Sequence, residues 1–299
     1  MLRVFSAIGM SRYTTHRAMD ELISDQLEKG HMRGQQYLKD GSMHVEIFKE
    51  MGPFQMVLRG EIVNKETINV FMVLPALKEK RGYTLIDCET QEDQCDVIYV
   101  AGQEENTLEG VCLLLTDVHR FYREPGLFNR EQMQLSCYGL SVAGKVLLGI
   151  QRTPEDISAM QEGEKWRRDM LSRAMKGDPD AITEMQDEEE MTQREIEERL
   201  LHEDVYTIFD GFLYPAEGDD NYYSILGDIL HVDKLMNSFT EEWVYYLELD
   251  VLGQVLRVCI NPKDLLGDPK PGRRFTGQVR FYGRLDPARL ILENQSTFF

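Results

Sequence analysis

Arg274-Phe275-Thr276-Gly277-Gln278-Val279-Arg280-Phe281-Tyr282-Gly283-Arg284-Leu285 is the stretch on which the reading of the fold turns. Its odd-numbered positions are apolar or glycine, a period of two that fits a strand and not a helix. Side chains of alternate residues point to opposite faces. Phe275, Val279, Phe281 and Leu285 therefore share one face, and Arg274, Arg280, Tyr282 and Arg284 share the other. Gly277 and Gly283, with Gly227 upstream, signal bulges or tight bends inside strands.

Working back from this segment, the same period recurs. Tyr223, Ile225, Gly227 and Ile229 alternate with Ser224, Leu226, Asp228 and Leu230, and Trp243, Tyr245, Leu247 and Leu249 alternate with Val244, Tyr246, Glu248 and Asp250. Gly253-Gln254 turns into Val255-Leu256-Arg257-Val258-Cys259-Ile260. Short strands with internal glycines predict a mainly-β domain over 205–299, with an OB-like barrel as the expected form.

Residues 151–204 read differently. Thr153-Pro154-Glu155-Asp156 is a helix start, with a capping hydroxyl, proline at the first position and acids at the positive end of the dipole. Lys176-Gly177 is a stop and Asp178-Pro179-Asp180 a second start. The second helix carries Asp187, Glu188, Glu189, Glu190, Glu195, Glu197 and Glu198, so the segment is an acidic helical connector whose carboxylates face solvent or a basic partner.

Residues 1–150 form an α+β unit. A helix capped by Thr14 or Thr15 runs to about Lys29, with Ala18, Met19, Leu22, Ile23 and Leu27 on one face. Strand-like runs follow at 45–48, 55–58, 67–74, 83–86, 96–100 and 111–115, and an apolar segment ends at Ile150. The expected fold class is α+β in three parts: an α+β domain at 1–150, the connector at 151–204 and the mainly-β domain at 205–299.

Asp204-Val205-Tyr206-Thr207-Ile208, Tyr223-Ser224-Ile225-Leu226-Gly227-Asp228-Ile229, Cys259-Ile260-Asn261-Pro262-Lys263-Asp264-Leu265-Leu266-Gly267-Asp268-Pro269 and Gly272-Arg273-Arg274-Phe275-Thr276-Gly277 resemble an uncharacterised family of Clostridia-type anaerobic Firmicutes proteins of similar length. The opening Phe5-Ser6-Ala7-Ile8-Gly9-Met10-Ser11 resembles that family's start. Leu213-Tyr214-Pro215-Ala216-Glu217-Gly218 departs from the aromatic-proline-tyrosine-glycine string of the family. The resemblance implies no activity, cofactor or site residue.

Chemical signatures are sparse. The chain contains neither GxxxxGK[ST] nor GxGxxG nor GxSxG, so no phosphate loop, dinucleotide fingerprint or nucleophile elbow is present. Cys137 is a nucleophile only if a histidine such as His119 approaches it; a buried structural thiol is the simpler reading. Cys88 and Cys95 can face each other across a hairpin, but the five cysteines are odd in number and include no CxxC. No histidine pair has zinc spacing, and no metal site is expected. Glu217, Asp219 and Asp220 are oxygen donors without the EF-hand pattern. Neither motif nor composition calls for a cofactor.

The 299 residues carry a net charge of −19. That charge repels nucleic acid and anionic membranes, and no apolar stretch reaches the roughly 18 residues of a membrane helix. A cytoplasmic location with no export is expected. Against such a background the arginine face of 274–284 is the candidate binding surface, for a small anionic ligand or an unknown protein, with pairing to the protein's own acids as the bland reading. The function expected is non-enzymatic binding or adaptor work. The alternatives are an enzyme with its site between the domains and an OB-like single-stranded nucleic-acid binder.

Overall fold

The computed structural model describes residues 2–29, 31–37, 43–63, 67–79, 81–92, 97–118, 131–150, 153–203, 205–216 and 219–285. The protein is α+β, with about 51% strand against 28% helix among the described residues, so strand pairing sets its architecture. Two short 3-10 segments, Leu2–Ile8 and Ser11–Tyr13, lead into α1 (His16–Lys29). The Thr15 hydroxyl accepts from the Ala18 amide at 3.4 Å, which satisfies one donor of the helix start.

An antiparallel meander follows: β1 (His31–Tyr37), β2 (Met43–Met51), β3 (Phe54–Val63) and β4 (Thr67–Leu77), paired in chain order. The second sheet begins with β5 (Tyr83–Glu92), β6 (Ile98–Glu104), β7 (Gly110–Leu115) and the long β8 (Gln132–Leu147). Two helices, α2 (Pro154–Met175) and α3 (Pro179–Leu200), and a turn of helix, α4 (Val205–Ile208), come next. The sheet resumes with β9 (Phe212–Ala216), β10 (Asp219–Met236), β11 (Trp243–Val251), β12 (Gln254–Ile260), β13 (Leu265–Leu266) and β14 (Arg274–Arg284).

Strands from both sides of the helices belong to this one sheet, whereas the sequence reading drew separate units at 1–150 and 205–299. Its axis is β8 against β14, antiparallel from Ser136↔Arg284 to Leu147↔Arg274. From that pair two cycles of pairing depart. One runs β14–β10–β11–β12 and returns to β8 through the parallel contact Val258↔Gly139. The other runs β8–β5–β6–β7 and returns to β14 through the parallel contact Tyr282↔Leu114. Glycines permit the close approaches. A Cβ at Gly139 would collide with Val279, and one at Gly227 with the Asp250 carbonyl.

Each face of β14 is covered. Phe275, Val279, Phe281 and Leu285 enter a core with Leu85, Val100, Leu113, Leu247, Leu249 and Val258. On the other side, Tyr282 and Tyr138 stack with ring centroids 5.7 Å apart. They belong to a second core that holds Phe5, Ile8, Met19, Leu22, Phe54, Val57 and Leu74. The four-stranded sheet, α1 and the N-terminal turns thus pack on the second face. Fully burying a side chain of this kind contributes about 1.5–3 kcal/mol, so double coverage is a large share of the drive to fold.

Charge also ties the sheets. The buried Arg59 guanidinium donates to Glu46 at 2.9 Å and to the Leu115 carbonyl at 2.9 Å. The same Glu46 oxygen accepts from the Val118 amide at 3.1 Å. A buried pair of this type persists because its remaining hydrogen-bonding capacity is met.

Candidate functional site

The four residues of the expected arginine face have separate fates. Arg274 is 1% exposed. Its guanidinium donates to the carbonyls of Tyr206 at 2.5 Å, Phe209 at 2.5 Å and Asp210 at 2.9 Å, and Asp228 lies 3.7 Å away. These carbonyls end α4, where a cation is favoured by the helix dipole. Tyr282 is buried in the second core. Arg280 is half-buried, with its guanidinium 5.4 Å from the Tyr222 ring centroid. Arg284 is half-buried, donates to Gln55 at 3.3 Å and sits 3.9 Å from Asp117. The strand alternates as its sequence says, but α4 and the four-stranded sheet lie over the face that carries Arg274 and Tyr282.

Thiol chemistry has no opening at the buried cysteines. Burial pushes the Cys137 thiol up to about 12, and burial likewise raises Cys259. A protonated, enclosed thiol is a poor nucleophile. His119, the suggested partner of Cys137, and Cys95, the suggested partner of Cys88, lie outside the described residues. So do Glu217 and the side chains of Asp219 and Asp220. Among the described residues no cluster of three or more histidine, cysteine or carboxylate side chains could hold a metal ion.

Two stretches quoted for the family resemblance meet in space. Ser6 donates to Asp264 at 2.5 Å, Asn261 donates to the Ser6 carbonyl at 3.2 Å, and Lys263 Nζ reaches Ser11 Oγ at 3.0 Å. Ser11 in turn donates to Glu242 at 2.7 Å. These polar groups satisfy one another and seat the N-terminal turns on β8 and β12.

The exposed chemistry is on the helices. Of the described side chains on α2 and α3, only Met170 and Ala181 are buried. The elbow between the helices is built locally: Asp178 caps α3 by accepting from the Asp180 and Ala181 amides, and Arg173 donates to Asp178 at 2.8 Å. That hydrogen bond holds the Asp178 carboxyl below its ordinary value. Gly177 takes the left-handed conformation, φ +81°, that a helix stop favours. Beyond the elbow α3 carries nine carboxylates against Arg194 and Arg199, and those arginines pair with Glu190 and Glu203 within the same arm. Exposed among the acids are Ile182 and Met191, and Trp166 is exposed on α2. At the root, β8 leads into α2, and Arg274 clamps the chain that leaves α3.

Sequence reasoning found both helices and the acidic patch, but not the clamp. The only signal for it was an arginine beside large apolar residues, which alternation assigned to solvent. No helix among the described residues is long and apolar enough to cross a membrane.

No curated protein matches the chain, and no solved structure matches it. A family model does: it matches residues 5–283 and is described as "Domain of unknown function, E. rectale Gene description (DUF3881)". The stretches that resembled an uncharacterised Firmicutes family all fall in that span, and the chain belongs to this family.

Proposed function

We propose that the protein is a non-enzymatic binding protein that engages a basic protein partner through the helical hairpin α2–α3. The observation that supports the reading is the composition of α3: nine carboxylates and two bases on a helix with one buried described side chain. Such a surface raises the local concentration of a cationic partner and speeds encounter. Ile182, Met191 and Trp166 supply apolar contact, without which charge steers but holds weakly. The sheets serve as the rigid mount, and Arg274 fixes the root of the arm to that mount.

The test is cross-linking of the native complex in cell extract. Cross-links concentrated on 179–200, lost in a variant with Glu188, Glu189, Glu190, Glu197 and Glu198 changed to Gln, are expected. Cross-links confined to the sheets, or unchanged in that variant, would refute the reading. We assign the protein to the cytoplasm, which the composition and the free thiols Cys88, Cys112, Cys137 and Cys259 support.

We also propose that the cycle β10–β11–β12–β8–β14 is an OB-like unit. Five strands, one parallel closure and a short helical turn (Pro262–Asp264) between β12 and β14 support it. Its unusual feature is chain order, because β8 precedes the other four. Absence of nuclear Overhauser contacts between Leu140 and Cys259, which are register partners, would refute it. For the nucleic-acid reading, whose contacts would be Tyr245, Tyr282, Arg280 and Arg284, this unit leaves Tyr282 out of reach, since it is 1% exposed.

A further inference from the structure

At the root of the arm, α2 faces two tight turns of the sheet across a cleft of about 410 Å³. Its walls are Lys165, Arg167 and Arg168 on α2, Asn106, Thr107 and Glu109 on the β6–β7 turn, and Leu252 and Gly253 on the β11–β12 turn. The volume lies within the roughly 300–1,000 Å³ of small-molecule sites.

The sheet side of the cleft is stiffened in advance. The Glu104 carboxylate accepts from the Asn106 amide at 2.9 Å, the Thr107 amide at 2.8 Å, Asn106 Nδ2 at 2.8 Å and Thr107 Oγ1 at 3.0 Å. Asp250 accepts from the Gly253 amide at 3.0 Å. The helix side supplies charge. Arg167 pairs with Glu109 at 3.0 Å. Lys165 and Arg168 are exposed and have no hydrogen-bond or ion-pair partner among the described residues. Among the described residues, three cations against one carboxylate line this cleft, in a chain whose net charge is −19.

We propose that the cleft binds a small phosphate monoester and that the bound ligand braces the arm against the sheet. Two cations beyond the Arg167–Glu109 pair match the charge of a phosphate dianion, which is about −1.5 to −2 at neutral pH. Arg168 offers a planar fork and Lys165 a point charge, a combination suited to phosphate oxygens. The volume leaves room for an organic portion of the size of a sugar beside Leu252. A ligand held by α2 and by both turns stabilises the conformation that joins them. This proposal does not depend on the arm's docking role.

The experiment is calorimetric titration of the full chain with glucose 6-phosphate as the probe, and with glucose and acetate as controls. Hydrogen exchange of residues 153–175 is followed in parallel. Saturable binding of the phosphate ester, with slower exchange in α2, is expected. The Lys165→Ala/Arg168→Ala variant leaves the Arg167–Glu109 pair in place. It is expected to weaken binding by about a hundredfold, tenfold per charge-assisted contact, at an unchanged melting temperature without ligand. Failure of glucose 6-phosphate to bind at millimolar concentration would overturn the proposal. Equal affinity in the variant, or acetate binding as well as the ester, would do the same.

Discussion

Replacing Arg274 by Met removes the clamp while keeping an unbranched side chain of similar reach. The guanidinium serves three carbonyls, those of Tyr206, Phe209 and Asp210. A hydrogen bond to a charged group contributes about 1.5–3 kcal/mol. The acceptors are only part-buried, so water recovers a share of that, and the three together come to about 3 kcal/mol rather than the full sum. Asp228, 28% exposed at its side chain, is left to hydrate and adds little. For a chain of this size about 3 kcal/mol corresponds to a melting temperature lower by roughly 6–12 °C. The loss should be local at its onset, because the released segment joins α3 to β9. Calorimetry gives the size of the effect, and limited proteolysis between residues 200 and 211 gives its place. Arg274→Lys keeps the charge but not the fork, and is expected to recover under half of the loss. If Arg274→Met melts within about 1 kcal/mol of the native chain and resists protease equally, the clamp is not what holds the arm.

Other expectations follow from the same packing. Alkylation at pH 8 followed by mass spectrometry is expected to leave Cys137 and Cys259 unmodified in the folded chain and to modify both in denaturant; rapid native labelling of either would contradict their burial. The Cys137 thiol has a folded value raised to about 12 from an ordinary 9. Its contribution to stability is therefore complete below pH 9 and declines as pH rises from 9 to 12. Cys137→Ala should flatten that alkaline limb in melting curves, and an unchanged limb would assign it to other groups. Arg59→Ala leaves Glu46 buried without its guanidinium and should cost about 3–5 kcal/mol by denaturant titration; Arg59→Ala/Glu46→Ala should cost less than the single change, and additivity would refute the pairing. Gly227→Ala should destabilise by about 1–3 kcal/mol through collision with the Asp250 carbonyl, where a neutral effect would show that β10 and β11 can part.

Much of the local structure is legible in the chain. Thr153-Pro154, Lys176-Gly177 and Asp178-Pro179 mark the helix ends where the helices occur, because capping is chemistry between neighbours in sequence. The inward residues of β14 are read correctly for a similar reason: alternation is a property of one strand. The exact span of β8 is not legible: Gln132-Met133-Gln134-Leu135-Ser136-Cys137 alternates as a strand should, but the strand runs on through Gly139 and Gly144, where its pairing comes from β14, more than a hundred residues away.

Sequence by itself therefore determined the α+β character, the acidic helical hairpin and which residues of the last strand share a side. Tertiary structure alone decided what lies against each side. Period two divides β14 into two faces but is silent on whether water, a second sheet or a helix end covers them. Arg274 and Tyr282 read as surface and lie in the interior because α4 and the four-stranded sheet bring partners that no local pattern encodes. For the same reason the cleft at the root of α2 emerges only in space: its walls come from three separate stretches of chain, and only their folding places Lys165 and Arg168 opposite the two turns.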